Sequence, residues 1–199
     1  MSNRKTAVPD TFVPAAGRSW LTPLYDLGVS LLTREAIWRN HLVAQIAPQP
    51  DEHILDIGCG TGSLAAFLHK LEPDIQFTGI DPDGDVLARA RRKLAKTGVN
   101  IALIKGFLDE TLLADTPAFD KLTTSLVLHQ VPVPEKHRIL RLGLDLLKPG
   151  GSLHIADYGQ QRSPVMRAAF RIIQTLDGPE YTTPNAEGII TNLMMEVGY

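Results

Sequence analysis

The chain has 199 residues, of which 44% are hydrophobic and 21% charged. Those proportions exclude a disordered chain, a collagen-like fibre and a coiled coil, and the length fits one domain. Twenty basic residues against 22 acidic ones leave a net charge of −2, so no global field is available to grip nucleic acid.

The single cysteine, Cys59, cannot form an internal disulfide, which suits a reducing cytoplasm. The basic start at Arg4 and Lys5 is followed by Pro9, Asp10 and Pro14, not by the apolar core of a signal peptide. No uninterrupted apolar run approaches the roughly 18 residues of a membrane span.

Residues 1–19 are polar and proline-containing and read as a flexible terminus. From Trp20 to Ala47 apolar residues recur at helical spacing, and Pro48 and Pro50 end the segment, which reads as a helical lid over 20–50. Residues 51–199 then alternate. Ile54–Ile57 reads as a strand, 62–71 as a helix, and Ile75–Ile80 as a strand. A helix follows at 84–97, then strands at Asn100–Ile104 and Leu122–Val127. A helix at 135–147 stops at Lys148-Pro149-Gly150-Gly151, and a fifth strand covers Ser152–Ala156. Helical patterns close the chain at about 164–177 and 186–197. Such alternation predicts βαβ units, hence an α/β, doubly wound, mostly parallel sheet in three α/β/α layers.

The strongest motif is Asp56-Ile57-Gly58-Cys59-Gly60-Thr61-Gly62, which follows a strand and opens a helix. Glycine permits positive φ there and lets a ligand approach the backbone. Asp81 ends the next strand, nineteen residues after Gly62, where a carboxylate can accept hydrogen bonds from ribose hydroxyls. Strand, turn, helix, strand and acid form one adenosine-binding unit. The spacing is G-x-G-x-G, and Ser63 stands where a dinucleotide fingerprint has its third glycine. An acid at Asp56 would also repel a pyrophosphate, whereas it could hold a cation or an amino group.

These residues resemble motif I of the class I S-adenosylmethionine-dependent methyltransferases. Phe119-Asp120 with Leu126-Val127-Leu128-His129 resembles their fourth-strand motif, and Leu147–Leu153 resembles the turn before their fifth strand. The chain is similar to the methyltransferase-11, UbiE-like group, and Tyr25-Asp26 resembles the start of that group's lid helices. The resemblance implies S-adenosyl-L-methionine as cofactor and a Rossmann-like fold. It puts Asp56, Gly58, Cys59, Gly60, Thr61 and Gly62 around the methionine part, and Asp81 with Pro82 at the ribose. Phe107 and Leu108 would border the adenine, and Ser125 would approach the sulfonium end. Where many members carry Asp or Asn after the glycine at 106, this chain has Phe107, so packing and backbone are expected to hold the base.

The implied reaction is direct methyl displacement onto a small-molecule acceptor, of quinone-like, lipid or secondary-metabolite type. His129 is the candidate general base, against a plainer reading as a loop histidine bonded to backbone. Tyr25, Trp38 and Arg39 are candidates for the acceptor wall, or simply pin the lid to the sheet. Two rivals stay open: a non-catalytic cofactor-binding module and an NAD-dependent oxidoreductase. No metal site is expected, because His129 and His137 lack further ligands at suitable spacing. Arg89, Arg91, Arg92 and Lys93 read as a solvated helix face and not as a nucleic-acid grip. The 164–177 helix, with Arg162, Arg167 and Arg171, could lie on a membrane surface, though such stripes more often face a core. Family members commonly finish with an antiparallel strand pair, which this sequence lacks after Gly198-Tyr199. Absent strands, a truncated form and a second chain in a homodimer are the three readings of that edge.

Overall fold

The computed structural model describes residues 35–96, 101–109 and 118–199. The expected flexible terminus over 1–19, the expected lid up to residue 34 with Trp20 and Tyr25, and most of the 109–118 loop lie outside those residues.

Five strands build the sheet: β1 (His53–Ile57), β2 (Gln76–Asp81), β3 (Ala102–Lys105), β4 (Phe119–Ser125) and β5 (Leu147–Ala156). Their order is β3-β2-β1-β4-β5, and every pairing is parallel. Among the described residues there is no antiparallel strand pair, as the sequence led one to expect. The chain runs outward from β1 to β3 and then returns to the other side of β1. That reversal leaves a crevice beyond the C-terminal ends of β1 and β4, where ligands of open α/β sheets bind.

Helices cover both faces. On one face lie α1 (Glu35–Ile46), α2 (Ser63–Leu71) and α3 (Gly84–Ala95). Leu42, Val43, Ile46, Leu64, Leu68 and Leu94 pack there on Ile54 and Phe77. On the other lie α4 (Val133–Leu146) and, after it, α7 (Ile189–Val197). Ile139, Leu142 and Leu146 pack there on Leu55, Ile57 and Leu122, and Leu193 and Val197 pack beside Leu140. Period-two alternation explains the split: Leu55 and Ile57 point one way, Ile54 and Asp56 the other. Burial of this kind stabilises by about 25 cal/mol per Å² of apolar surface, and so it fixes both strand register and helix facing.

Three sequence expectations are corrected. β4 begins three residues early and stops at Ser125, because Leu126 adopts a left-handed φ of 56° and a 3-10 turn follows at Leu128–Gln130. β5 takes in the Lys148–Gly151 turn as an irregular start, with a register shift opposite Phe119 and Lys121. Between α5 (Pro164–Asp177) and α7 stands an unforeseen helix, α6 (Pro179–Ala186). It has no apolar stripe and contains Pro184, so periodicity could not reveal it. It is held instead by polar groups: Thr182 and Asn185 are fully buried, and Thr182 Oγ1 donates to the Gly178 carbonyl at 2.6 Å.

Candidate functional site

The glycine turn is fastened to β2 by backbone. Gly58 N and Cys59 N both donate to the Ile80 carbonyl, at 2.8 and 3.0 Å, and Gly62 N donates to the Cys59 carbonyl at 3.0 Å. Gly58 has φ +74°, and a Cβ there would fall 2.2 Å from Val127 Cγ2. Gly60 has φ +54°, with nothing within 4 Å of where its Cβ would be. The first glycine is therefore demanded by packing, and the second leaves the turn open on its outer side.

Asp81 closes β2 beneath that opening. Its Oδ2 accepts from Gly60 N and its Oδ1 from Asp83 N, each at 2.9 Å. A carboxylate oxygen has two lone pairs, so each retains capacity for a hydroxyl donor. Burial raises the Asp81 pKa, and the two backbone donors pull it back. Asp83, not Asp81, caps α3: its Oδ1 accepts from Asp85 N and Val86 N at 2.8 and 3.2 Å. Asp81 is thereby left to the crevice. Pro82 sits half-buried between them.

Asp56 is placed differently from the expectation of a loop-facing acid. It is 1% exposed and shares the α1 side of the sheet with Ile54. Its Oδ1 accepts from Thr123 Oγ1 at 2.7 Å. Burial lifts its pKa from the ordinary carboxylate range to about 7, and the Thr123 hydroxyl and the Arg39 guanidinium offset part of that rise. It is a strut under the turn. Cys59 is buried at 6% exposure, and burial and the nearby Asp56 and Asp81 push its thiol well up. It is a small packed side chain, not a nucleophile. Thr61 is exposed on the turn, 3.4 Å from the Ser63 hydroxyl.

Beside Asp81, Gly106 N donates to the Asp81 carbonyl at 3.1 Å and leads β3 into Phe107 and Leu108. The two diverge. Phe107 is 43% exposed and offers a flat apolar wall, whereas Leu108 is 3% exposed and belongs to the core. Ser125 ends β4 half-buried, and its hydroxyl forms no hydrogen bond with the described residues.

The second half of the crevice is a cavity of about 380 Å³ beyond β4 and β5. Leu126, Ala156, Asp157 and Tyr158 form its floor, Trp38 of α1 one wall and residues of α5 another. The lining is mainly apolar. The Trp38 indole N–H is buried without a partner among the described residues, and the Arg39 guanidinium lies 5.2 Å over the Trp38 ring. Tyr25, the third expected wall residue, lies outside the described residues.

His129 is corrected most. It does not reach the rim as a base. It is 3% exposed, with Nδ1 2.8 Å from Asp157 Oδ1 and Nε2 3.6 Å from Asp177 Oδ2. Burial alone would lower its pKa, but hydrogen bonds to Asp157 and Asp177 overcome that and raise it to about 9. The two carboxylates thus favour the imidazolium, the form with no lone pair to take a proton. The two carboxylates meet opposite ring nitrogens, so they do not converge on a point where a cation could sit.

Two further residues of this region had no sequence signal. Lys136 is fully buried, and its Nζ donates to the carbonyls of Leu128, Val131 (2.6 Å) and Tyr181 (3.0 Å). Asp157 accepts from Leu128 N at 2.7 Å, His129 Nδ1 and Asn185 Nδ2 at 3.3 Å. Together they tie the 3-10 turn, the end of β5 and α6 into one polar knot. Tyr158 stacks edge-on against both His129 and Phe170, with centroids 4.8 and 5.2 Å away. On α3, Arg91 donates to the Leu103 carbonyl at 3.1 Å and Lys93 to Ser63 Oγ at 2.7 Å, so this basic run partly serves the fold.

An adenosine-bearing cofactor fits this half of the crevice. The turn over Gly60 is open, Asp81 keeps acceptor capacity, and Phe107 stands beside it.

The comparisons with known proteins agree. Residues 54–151 match the family model described as a methyltransferase domain. The chain is 27% identical over 169 residues to the ubiquinone/menaquinone biosynthesis C-methyltransferase UbiE of Bdellovibrio bacteriovorus, covering 84% of this chain and 68% of that one. It is 34% identical over 132 residues to the ubiquinone biosynthesis O-methyltransferase of Glaesserella parasuis, covering 64% of this chain and 51% of the relative. The chain thus spans about half to two thirds of these relatives. The crystal structure of the plantazolicin methyltransferase BamL, in complex with a triazolic desmethyl analogue of plantazolicin and SAH, superposes with a TM-score of 0.64 at 19% identity. That alignment covers 90% of this chain and 67% of that one, and at such identity it speaks for the fold alone. The methyltransferase-domain match begins at Ile54 in β1 and ends at Gly151 in β5, so it runs through all five strands and the glycine turn, and over these residues the chain is similar to S-adenosylmethionine-dependent methyltransferases of the group that includes UbiE.

Proposed function

We propose that the protein transfers a methyl group from S-adenosylmethionine to a small apolar acceptor held in the β4–β5 cavity. The observation that carries this reading is the adjacency of two unlike half-sites. A backbone turn with one carboxylate lies beyond β1 and β2, and an apolar cavity lies one strand over. When bound, the sulfonium supplies an activated methyl group. The chain's own task is then to bind, align and exclude water. Asp81 accepts from ribose hydroxyls, the Gly58–Gly62 turn lies along the methionine part, and Phe107 borders the base. Ser125 and Leu126 stand where the half-sites meet. Trp38, Tyr158 and the α5 residues hold the acceptor, and alignment of this kind can supply several kcal/mol of a displacement barrier. No general base is assigned. An acceptor already ionised, or one that loses its proton to water, suits such a site.

Named relatives act in quinone biosynthesis, and a ring compound of quinone or phenol type matches the mainly apolar lining. A reducing cytoplasm suits the lone buried thiol. The outer edge of β5, unpaired among the described residues, is where a further strand or a second copy would pair. Helix α1 serves as part of the lid, with Leu42, Val43 and Ile46 anchoring its C-terminal end in the core.

Calorimetric titration with S-adenosylhomocysteine and NAD, followed by labelled-methyl transfer to a panel of quinols and phenols, tests the reading. Binding of the first ligand alone, with label appearing in an acceptor, is expected. NAD binding without S-adenosylhomocysteine binding would overturn it. Cofactor binding with no transfer to any acceptor would leave a binding module instead.

A further inference from the structure

We propose that the Tyr158 hydroxyl donates a hydrogen bond to an oxygen carried on the ring of the acceptor, and so selects such a ring over a plain hydrocarbon of the same shape. This role rests on the acceptor reading above and names the group that the acceptor must carry.

Four side chains with nitrogen or oxygen atoms line the otherwise apolar cavity: Trp38, Asp157, Tyr158 and Gln161. Asp157 is committed elsewhere. Its carboxylate accepts from Leu128 N, His129 Nδ1, Tyr158 N and Asn185 Nδ2, and its side chain is only 1% exposed. The Trp38 indole N–H is sealed in by its neighbours. Gln161 gives one amide N–H to the Gly159 carbonyl at 2.6 Å and keeps the other, so it is the rival donor. Tyr158 is half-buried, and its hydroxyl forms no hydrogen bond with the described residues. Unlike the Trp38 N–H, that hydroxyl is not sealed off.

The ring that carries the hydroxyl is braced. His129 and Phe170 pack edge-on against it, at interplanar angles of 80° and 66°. His129 is itself held at both ring nitrogens by Asp157 and Asp177, and Tyr158 N donates to Asp157 Oδ1 at 2.7 Å. Little side-chain freedom is therefore lost when the hydroxyl meets a ligand. A phenol keeps its proton at neutral pH, and here burial, followed by the charges of Asp177 and Asp157, pushes its pKa up to about 12. The group acts as a donor and not as a base. A carbonyl or phenol oxygen on the bound ring meets that donor. A methyl group in its place leaves the O–H without a partner in an apolar cavity, which costs affinity.

The test uses two probes, 2,3-dimethyl-1,4-naphthoquinone with two ring carbonyls and 2,3-dimethylnaphthalene with none. Their binding to the whole chain is measured by equilibrium dialysis, with and without S-adenosylhomocysteine. Tyr158→Phe keeps the ring and its edge contacts. It should weaken the quinone by about three- to tenfold and leave the hydrocarbon within about twofold. Gln161→Met should leave both within about twofold, and Ala169→Trp, which fills the cavity from α5, should weaken both. Melting temperature and S-adenosylhomocysteine affinity should be unchanged in all three variants and report an intact fold. Quinone affinity unchanged in Tyr158→Phe, or an equal loss for both probes, would overturn the proposal. So would a selective quinone loss in Gln161→Met, quinone binding untouched by Ala169→Trp, or binding of neither probe. Failure of the transferase reading would appear separately, as a Tyr158-dependent quinone preference in a chain that binds no S-adenosylhomocysteine.

Discussion

The two ends of the crevice are built from opposite materials. The β1–β2 end is backbone. Three consecutive amides, two carbonyls and the carboxylate of Asp81 shape it, and nearly all lie within residues 57–83. The β4–β5 end is side chain. His129, Lys136, Asp157, Asp177 and Asn185 come from five separate stretches and meet in a buried polar knot behind the cavity. A backbone site tolerates little change in shape but asks for few residue identities. A side-chain site can be rebuilt with other residues, provided that every buried charge keeps its partner. Under the proposed function, that division lets one half keep a cofactor while the other adapts to an acceptor.

The comparison can be broken most sharply at His129. Removing the imidazolium with His129→Leu leaves Asp157 and Asp177 buried without their cation, which should cost about 3–5 kcal/mol in urea unfolding. The same group gives a pH signature. Its folded pKa of about 9 lies above its ordinary 6.5, so its contribution is complete below pH 6.5 and is lost as pH rises through about 9. Melting temperature should therefore fall between those values in the wild type and much less in the variant. An unchanged profile would mean that the knot is not ionic.

Gly58→Ala comes next. The Cβ would meet Val127, and the left-handed φ adds strain, together about 2–4 kcal/mol. Both stability and cofactor affinity should fall, whereas Gly60→Ala, with open space around it but a φ of +54°, should incur the backbone strain alone, a smaller loss of stability, besides weakening cofactor binding. Equal stability losses would remove the distinction drawn between the two glycines. Asp81→Ala should weaken S-adenosylhomocysteine by about 1–3 kcal/mol in calorimetry, with acceptor-side pH behaviour unchanged. Smallest is Cys59→Ala. It should cost about 1 kcal/mol of stability with cofactor affinity held within about twofold, and the wild-type thiol should resist iodoacetamide in the native state.

The same division governs what could be read beforehand. The glycine turn and Asp81 were legible because their chemistry depends on short-range spacing. The five parallel strands were legible because buried strands and amphipathic helices carry their periods openly. Asp56 was legible as a residue but not as a role, since only strand pairing with Thr123 shows it turned under the turn. His129 drew attention through its place after the fourth strand. Its partners lie 28 and 48 residues away, which no local pattern connects. Helix α6, Lys136 and Asn185 gave no signal at all, because polar burial has no period.

By itself, then, the sequence determined the layer order and the glycine turn with Asp81 at the end of the next strand. Each of these follows from interactions between near neighbours or from a repeat that the chain displays along its length. Tertiary structure alone decided that His129 is buried between Asp157 and Asp177, that α5 buries two side chains and leaves a stripe to solvent, and that Leu108 enters the core while Phe107 does not. Those outcomes depend on desolvation and on charges brought together across the fold, and such energies exist only once distant segments exclude water between them.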